Sequence, residues 1–101
     1  MFGILCLSTK QHFIAWHEVS RGSLDTAHVH PREVFKAALL VNAAGIVGAH
    51  NHPSGDPSPS PDDSELTRRL AAAGELMCVP LIDHVIVGDG RYYSFKEGGT
   101  L

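Results

Sequence analysis

Two histidines, His50 and His52, stand two residues apart at the end of a short apolar run, and Asp63 follows eleven residues after the second. In an extended strand, residues i and i+2 point to the same face, so the two imidazoles can converge on one point. Two imidazoles and a carboxylate are a donor set suited to catalytic zinc, which keeps a fourth position for water. The ligand types favour zinc over iron or manganese, at one ion per chain. Zinc brings the pKa of a bound water down toward ~7, so the chemistry implied is hydrolysis by an activated water.

The elements needed to position these groups can be read around them. The run 46–50 (IVGAH) is a short, almost wholly apolar strand of the kind buried on both faces. Residues 51–61 (NHPSGDPSPSP) hold four prolines and one glycine in eleven positions, which excludes a helix or central strand and predicts a rigid loop. Proline lowers the entropy cost of holding ligands in place. Ser60-Pro61-Asp62-Asp63 then reads as a helix start, with Ser60 at the N-cap and acids in the first turn. That helix runs to about residue 77 with Leu66, Leu70, Ala73 and Met77 as its apolar stripe. A purely structural reading of Asp63, as an acid balancing the helix dipole, fits its neighbour Asp62 better.

The remaining chain supplies a sheet. Residues 2–8 and 12–20 read as an antiparallel hairpin, and a short extended piece is expected through 26–29. A helix opens at Pro31 with Val34, Ala38 and Val41 at helical spacing and is expected to stop at Gly45. Residues 81–87 and 91–95 are two further strands joined by Gly88-Asp89-Gly90. The order β-β-α-β-loop-α-β-β predicts one α/β (α+β) domain over 1–101, a sandwich of a mixed sheet with flanking helices.

Composition narrows the function classes. The 101 residues carry a formal charge of −3, and their eight Lys and Arg are scattered, which argues against nucleic-acid binding by this domain alone. No apolar run is long enough to span a bilayer, and no signal peptide is read ahead of the first strand, so a cytoplasmic setting is expected. Cys6 and Cys78 lie in apolar stretches and read as buried free thiols. Trp16 and the Tyr92-Tyr93 pair read as core or sheet-face residues.

The run HNHPSGDPSPSPDD, preceded by IVGA, resembles the JAMM (MPN+) metallopeptidase signature: His-x-His, seven residues, Ser, two residues, Asp. His50, His52, Ser60 and Asp63 meet it without a gap. The wider text, HPREVFKAALLVNAAGIVGAHNHPSGDPSPSPDD with LTRRLAAAGEL and LIDHVIVGDGRYYSF, is similar to the bacterial RadC family. It resembles the C-terminal JAMM-type domain of that family, whose usual N-terminal helical region has no counterpart in these residues.

The resemblance implies an MPN/JAB-type fold with a cytidine-deaminase-like core. It also implies zinc held by His50, His52 and Asp63, oxyanion stabilisation by Ser60, and a peptide or protein substrate cleaved at a peptide or isopeptide bond. JAMM enzymes use a glutamate from an early part of the fold as general base. Glu18 is the candidate here, with Glu33 second. In some relatives that glutamate precedes the first strand, a position falling at or before Met1.

Asp83 and His84, in a later strand, are candidates for orienting a ligand, with a purely structural role in the sheet as the alternative. His28-Val29-His30 repeats the His-x-His spacing, but no Asp follows at the required distance. A zinc deaminase would need a Glu after its first ligand and a PCxxC pair, and neither is present. The rival from another class is a metal-stabilised, non-catalytic interaction module associated with DNA repair.

Overall fold

The computed structural model describes residues 1–21 and 29–101. His28 and most of the extended piece expected at 26–29 lie outside the described residues. The elements in chain order are β1 (Phe2–Leu7), β2 (Phe13–Ser20), α1 (Pro31–Leu40), β3 (Gly45–Asn51), α2 (Pro61–Met77), β4 (Leu81–Val87) and β5 (Tyr92–Ser94). The strands form one mixed sheet in the order β2-β1-β3-β4-β5, with β3 and β4 parallel and the other neighbours antiparallel. The parallel pair is joined through α2, as parallel neighbours require a crossover.

Strand pairing sorts the side chains onto two faces. Phe2 pairs with His50, Ile4 with Gly48 and Cys6 with Ile46, so these residues share a face. Val34, Phe35 and Ala38 of α1 and Leu66 and Leu70 of α2 pack on it in one buried cluster. Truncating a residue so enclosed, such as Leu70→Ala, costs about 2–5 kcal/mol. On the opposite face Leu5, Val47, Ala49 and Val85 are half-buried. The expectation that β3 is buried on both faces is thereby corrected: both helices pack on one side.

Three further expectations are revised. Helix α1 ends at Leu40 rather than at Gly45, because Asn42 takes a left-handed backbone (φ 54°) and turns the chain. Asparagine tolerates that conformation, and Gly45 instead opens β3. Val41, expected on the helical stripe, is exposed. Cys78 is exposed at the left-handed C-cap of α2, whereas Cys6 is buried as expected. Trp16 lies on the open sheet face over Gly3, where a Cβ would meet its ring at 2.3 Å.

Candidate metal centre

The site forms where β3 ends and α2 begins. His50, on the helix-covered face of β3, and Asp63, in the first turn of α2, are each 2 % exposed. Asp63 reaches between the two imidazoles. Its Oδ1 is 3.1 Å from His50 Nε2 and its Oδ2 is 2.9 Å from His52 Nε2, and the His52 side chain is 19 % exposed. The donor atoms of His50, His52 and Asp63 all lie within 4.8 Å of one another. A buried triad opens to solvent on the side of His52.

Local sequence rules account for this placement. Ser60 is the N-cap of α2: its hydroxyl accepts from the Asp63 N–H at 3.1 Å, and its own N–H donates to Asp63 Oδ2 at 2.8 Å. This reciprocal capping box, with Pro61 at N1, fixes the Asp63 rotamer as it starts the helix. His52 Nδ1 is 2.8 Å from the Asp56 carbonyl, an acceptor, so in the neutral ring Nδ1 carries the proton and Nε2, 2.9 Å from Asp63 Oδ2, presents its lone pair inward. The loop is pinned to the β4–β5 turn by the Asp89 N–H and the Arg91 guanidinium, both donating to the Gly55 carbonyl. Gly88 allows that approach, since a Cβ there would lie 2.3 Å from the same oxygen.

Behind His50 lies a second layer. His50 Nδ1 meets His84 Nε2 at 2.9 Å, His84 Nδ1 meets Thr67 Oγ1 at 2.6 Å, and the Thr67 hydroxyl donates to the Asp63 carbonyl at 2.8 Å. His84 is wholly buried, stacked on Phe95 and edge-on to Phe2. Burial, reinforced by the neighbouring His50, pulls its pKa down to about 3, so the ring is neutral at physiological pH. For Asp63, burial works to raise the pKa, but the His50 ring beside it and the hydrogen bonds from Ser60 outweigh it and hold the carboxyl well below the usual range.

The donor set fits a cation. His50 Nε2 is buried without a hydrogen-bond partner, although a carboxylate oxygen stands 3.1 Å away. A buried nitrogen lone pair facing carboxylate oxygens is costly unless a positive centre lies between them. His52 brings a second such lone pair to the same carboxylate.

The structure treats the other candidates unequally. Ser60 stands where expected, as the cap. His84 touches His50 directly, but Asp83 does not join the site. Asp83 accepts from the Ser94 hydroxyl and from the N–H groups of His84 and Lys96, tying β4 to the end of β5. Glu18 is a correction of the same kind: it pairs with Gly3, which pairs with Ala49, so it faces away from His50 with β1 between. Its carboxylate is engaged by Arg21 at 2.5 Å. Glu33 lies near His17 and Lys36 on α1 and does not join the cluster. His30 caps α1. Sequence reasoning passed over Thr67; the available signal was a hydroxyl one turn after Asp63, between Leu66 and Leu70 of the apolar stripe.

A mixed five-stranded sheet with a His-x-His strand end and an aspartate from the following helix defines a JAB/MPN-type α+β domain. The chain belongs to the RadC-like JAB domain family, whose profile it matches over residues 1–100. It is 49 % identical over 100 residues to a UPF0758 protein of Desulfitobacterium hafniense and 52 % identical over 98 residues to one of Caldanaerobacter subterraneus. A UPF0758 protein of Methanosarcina barkeri is 48 % identical over 98 residues. These alignments take in 97–99 % of this chain but only 42–44 % of each relative, so the chain spans less than half their length.

Proposed function

We propose that this domain is a zinc-dependent hydrolase acting on peptide or isopeptide bonds of a protein substrate. The observation that carries the reading is the bare, buried Nε2 of His50 set against the Asp63 carboxylate, with His52 at the opening. His50, His52 and Asp63 would hold the ion, which when bound supplies Lewis-acid polarisation and an activated water. Asp63 is kept ionised by its buried partners, and the Asp56 carbonyl keeps His52 Nε2 directed inward. The Ser60 hydroxyl accepts from the Asp63 N–H at the cap and retains its proton to donate toward a developing oxyanion.

A groove of about 420 Å³ runs beside His52 between 51–55 and 87–89, and we assign it to the substrate chain. Among the described residues no helix is long and apolar enough to cross a membrane. The −3 charge argues against nucleic-acid binding by this domain alone.

The test is metal content by mass spectrometry followed by hydrolysis of a fluorogenic peptide and an isopeptide-linked conjugate. Uptake of one zinc with cleavage of either supports the reading; no zinc uptake overturns it. A second reading has its own observation: neither Glu18 nor Glu33 joins the cluster, whose one carboxylate among the described residues is Asp63. Zinc uptake without cleavage of either substrate would favour a metal-stabilised interaction module serving DNA repair.

A further inference from the structure

We propose that Thr67 and His84 are positioning residues that dictate which ring nitrogen of His50 carries the proton, and so keep His50 Nε2 bare for a metal ion. The inference deepens the metal-centre reading above, but its first test needs no metal.

The proton order follows from one fixed acceptor. The Asp63 carbonyl can only accept, and the Thr67 hydroxyl lies 2.8 Å from it, so the hydroxyl proton points there. Thr67 Oγ1 is left with lone pairs, and His84 Nδ1 at 2.6 Å must donate to it. A neutral imidazole has one N–H, so His84 Nε2 can only accept. His50 Nδ1, 2.9 Å away, is therefore the donor, and the neutral His50 ring keeps its lone pair on Nε2. The reverse order would turn the Thr67 hydroxyl toward His84 and leave the Asp63 carbonyl without its donor at 2.8 Å.

The relay starts on the main chain of Asp63 and returns, through His84 of β4 and His50 of β3, to the Asp63 side chain. One ligand thus sets the tautomer of another, and three elements are locked together in doing so. Phe2 and Phe95 pack against the His84 ring, so no solvent replaces either partner. Free imidazole side chains favour the Nε2–H form. Both rings here are held in the other form, which makes the relay visible by spectroscopy.

The deciding experiment is a ¹⁵N-resolved imidazole NMR spectrum of the metal-free chain at neutral pH, paired with zinc affinities from chelator competition. His50 and His84 are both expected as Nδ1–H tautomers, and an Nε2–H form at either overturns the relay. Thr67→Val, which keeps shape but lacks the hydroxyl, is expected to weaken zinc binding by roughly 10- to 100-fold. Thr67→Ser, which keeps the hydroxyl, is expected to restore wild-type affinity and tautomers. Equal zinc affinity in the Val and Ser variants overturns the proposal. If Thr67→Val does not fold, the wild-type spectrum and the Ser variant still decide it. A wild-type chain that takes up no zinc would instead overturn the metal-centre reading, leaving the spectrum to judge the relay.

Discussion

Imidazole and carboxylate groups gather in two regions of this molecule, with opposite results. At the outer edge of the sheet His17 of β2 lies near Glu33 and Lys36 of α1 in a small open groove, and Glu18 pairs with Arg21. Water solvates these groups, and such contacts contribute about 0–1 kcal/mol. At the end of β3 the same chemical types are buried against each other, and His50 Nε2 has no hydrogen-bond partner. Residue type is common to both regions; burial with directed lone pairs belongs to one. That difference makes the second region the candidate cation site.

The strongest way to break the contrast is to remove the carboxylate at its centre. Asp63→Ala should abolish zinc retention measured by mass spectrometry and also lower the melting temperature, because the capping box goes with it. Retained zinc would sink the assignment of Asp63 as a ligand. Removing Glu18 from the outer region makes the matching control.

Acid should distinguish the regions next. His84 has its folded pKa lowered from 6.5 to about 3, so the unfolded chain binds the extra proton between those values. The stability owed to the neutral ring is complete above pH 6.5 and is lost as pH falls toward 3, by up to about 1.4 kcal/mol per pH unit. Asp63, also lowered, adds a loss of the same sign below its ordinary value of 3.8. Urea midpoints of the metal-free chain should therefore fall steadily from pH 6.5 downward; a flat profile to pH 4 would contradict a buried neutral His84.

A smaller effect is expected at the cap. Ser60→Ala should cost about 1 kcal/mol by removing the acceptor for the Asp63 N–H, whereas Ser60→Gly should cost only a few tenths. Denaturant titration measures both, and an Ala variant as stable as the wild type would show that the hydroxyl is not what holds the helix start. The smallest effect belongs to the outer region: Glu18→Ala should leave zinc content unchanged and stability within about 0.5 kcal/mol. A drop in zinc content would mean that strand register does not isolate Glu18 from the site.

What could be read before folding was whatever depends on neighbours along the chain. His50 and His52 share a point because strand side chains alternate, and Asp63 is oriented because Ser60 and Pro61 start a helix there. Proline spacing in the loop between them is equally local. These short-range rules made the triad, the cap and most element positions legible. They failed at Asn42 and Cys78, where a non-glycine residue took a left-handed conformation as its helix ended.

What only the tertiary structure decided was everything set by register across the sheet and by the docking of α2. Gly3 pairing with both Glu18 and Ala49 turned the expected base away from His50, and no spacing within β2 could reveal that. Gly48 pairing with His84 placed a second imidazole behind the first, and α2 brought Thr67 to it from a turn beyond Asp63. A one-residue change of register would send each of these side chains to the other face. The sequence by itself therefore determined which atoms could bind a metal, while the packed sheet determined which of their nitrogens stand bare.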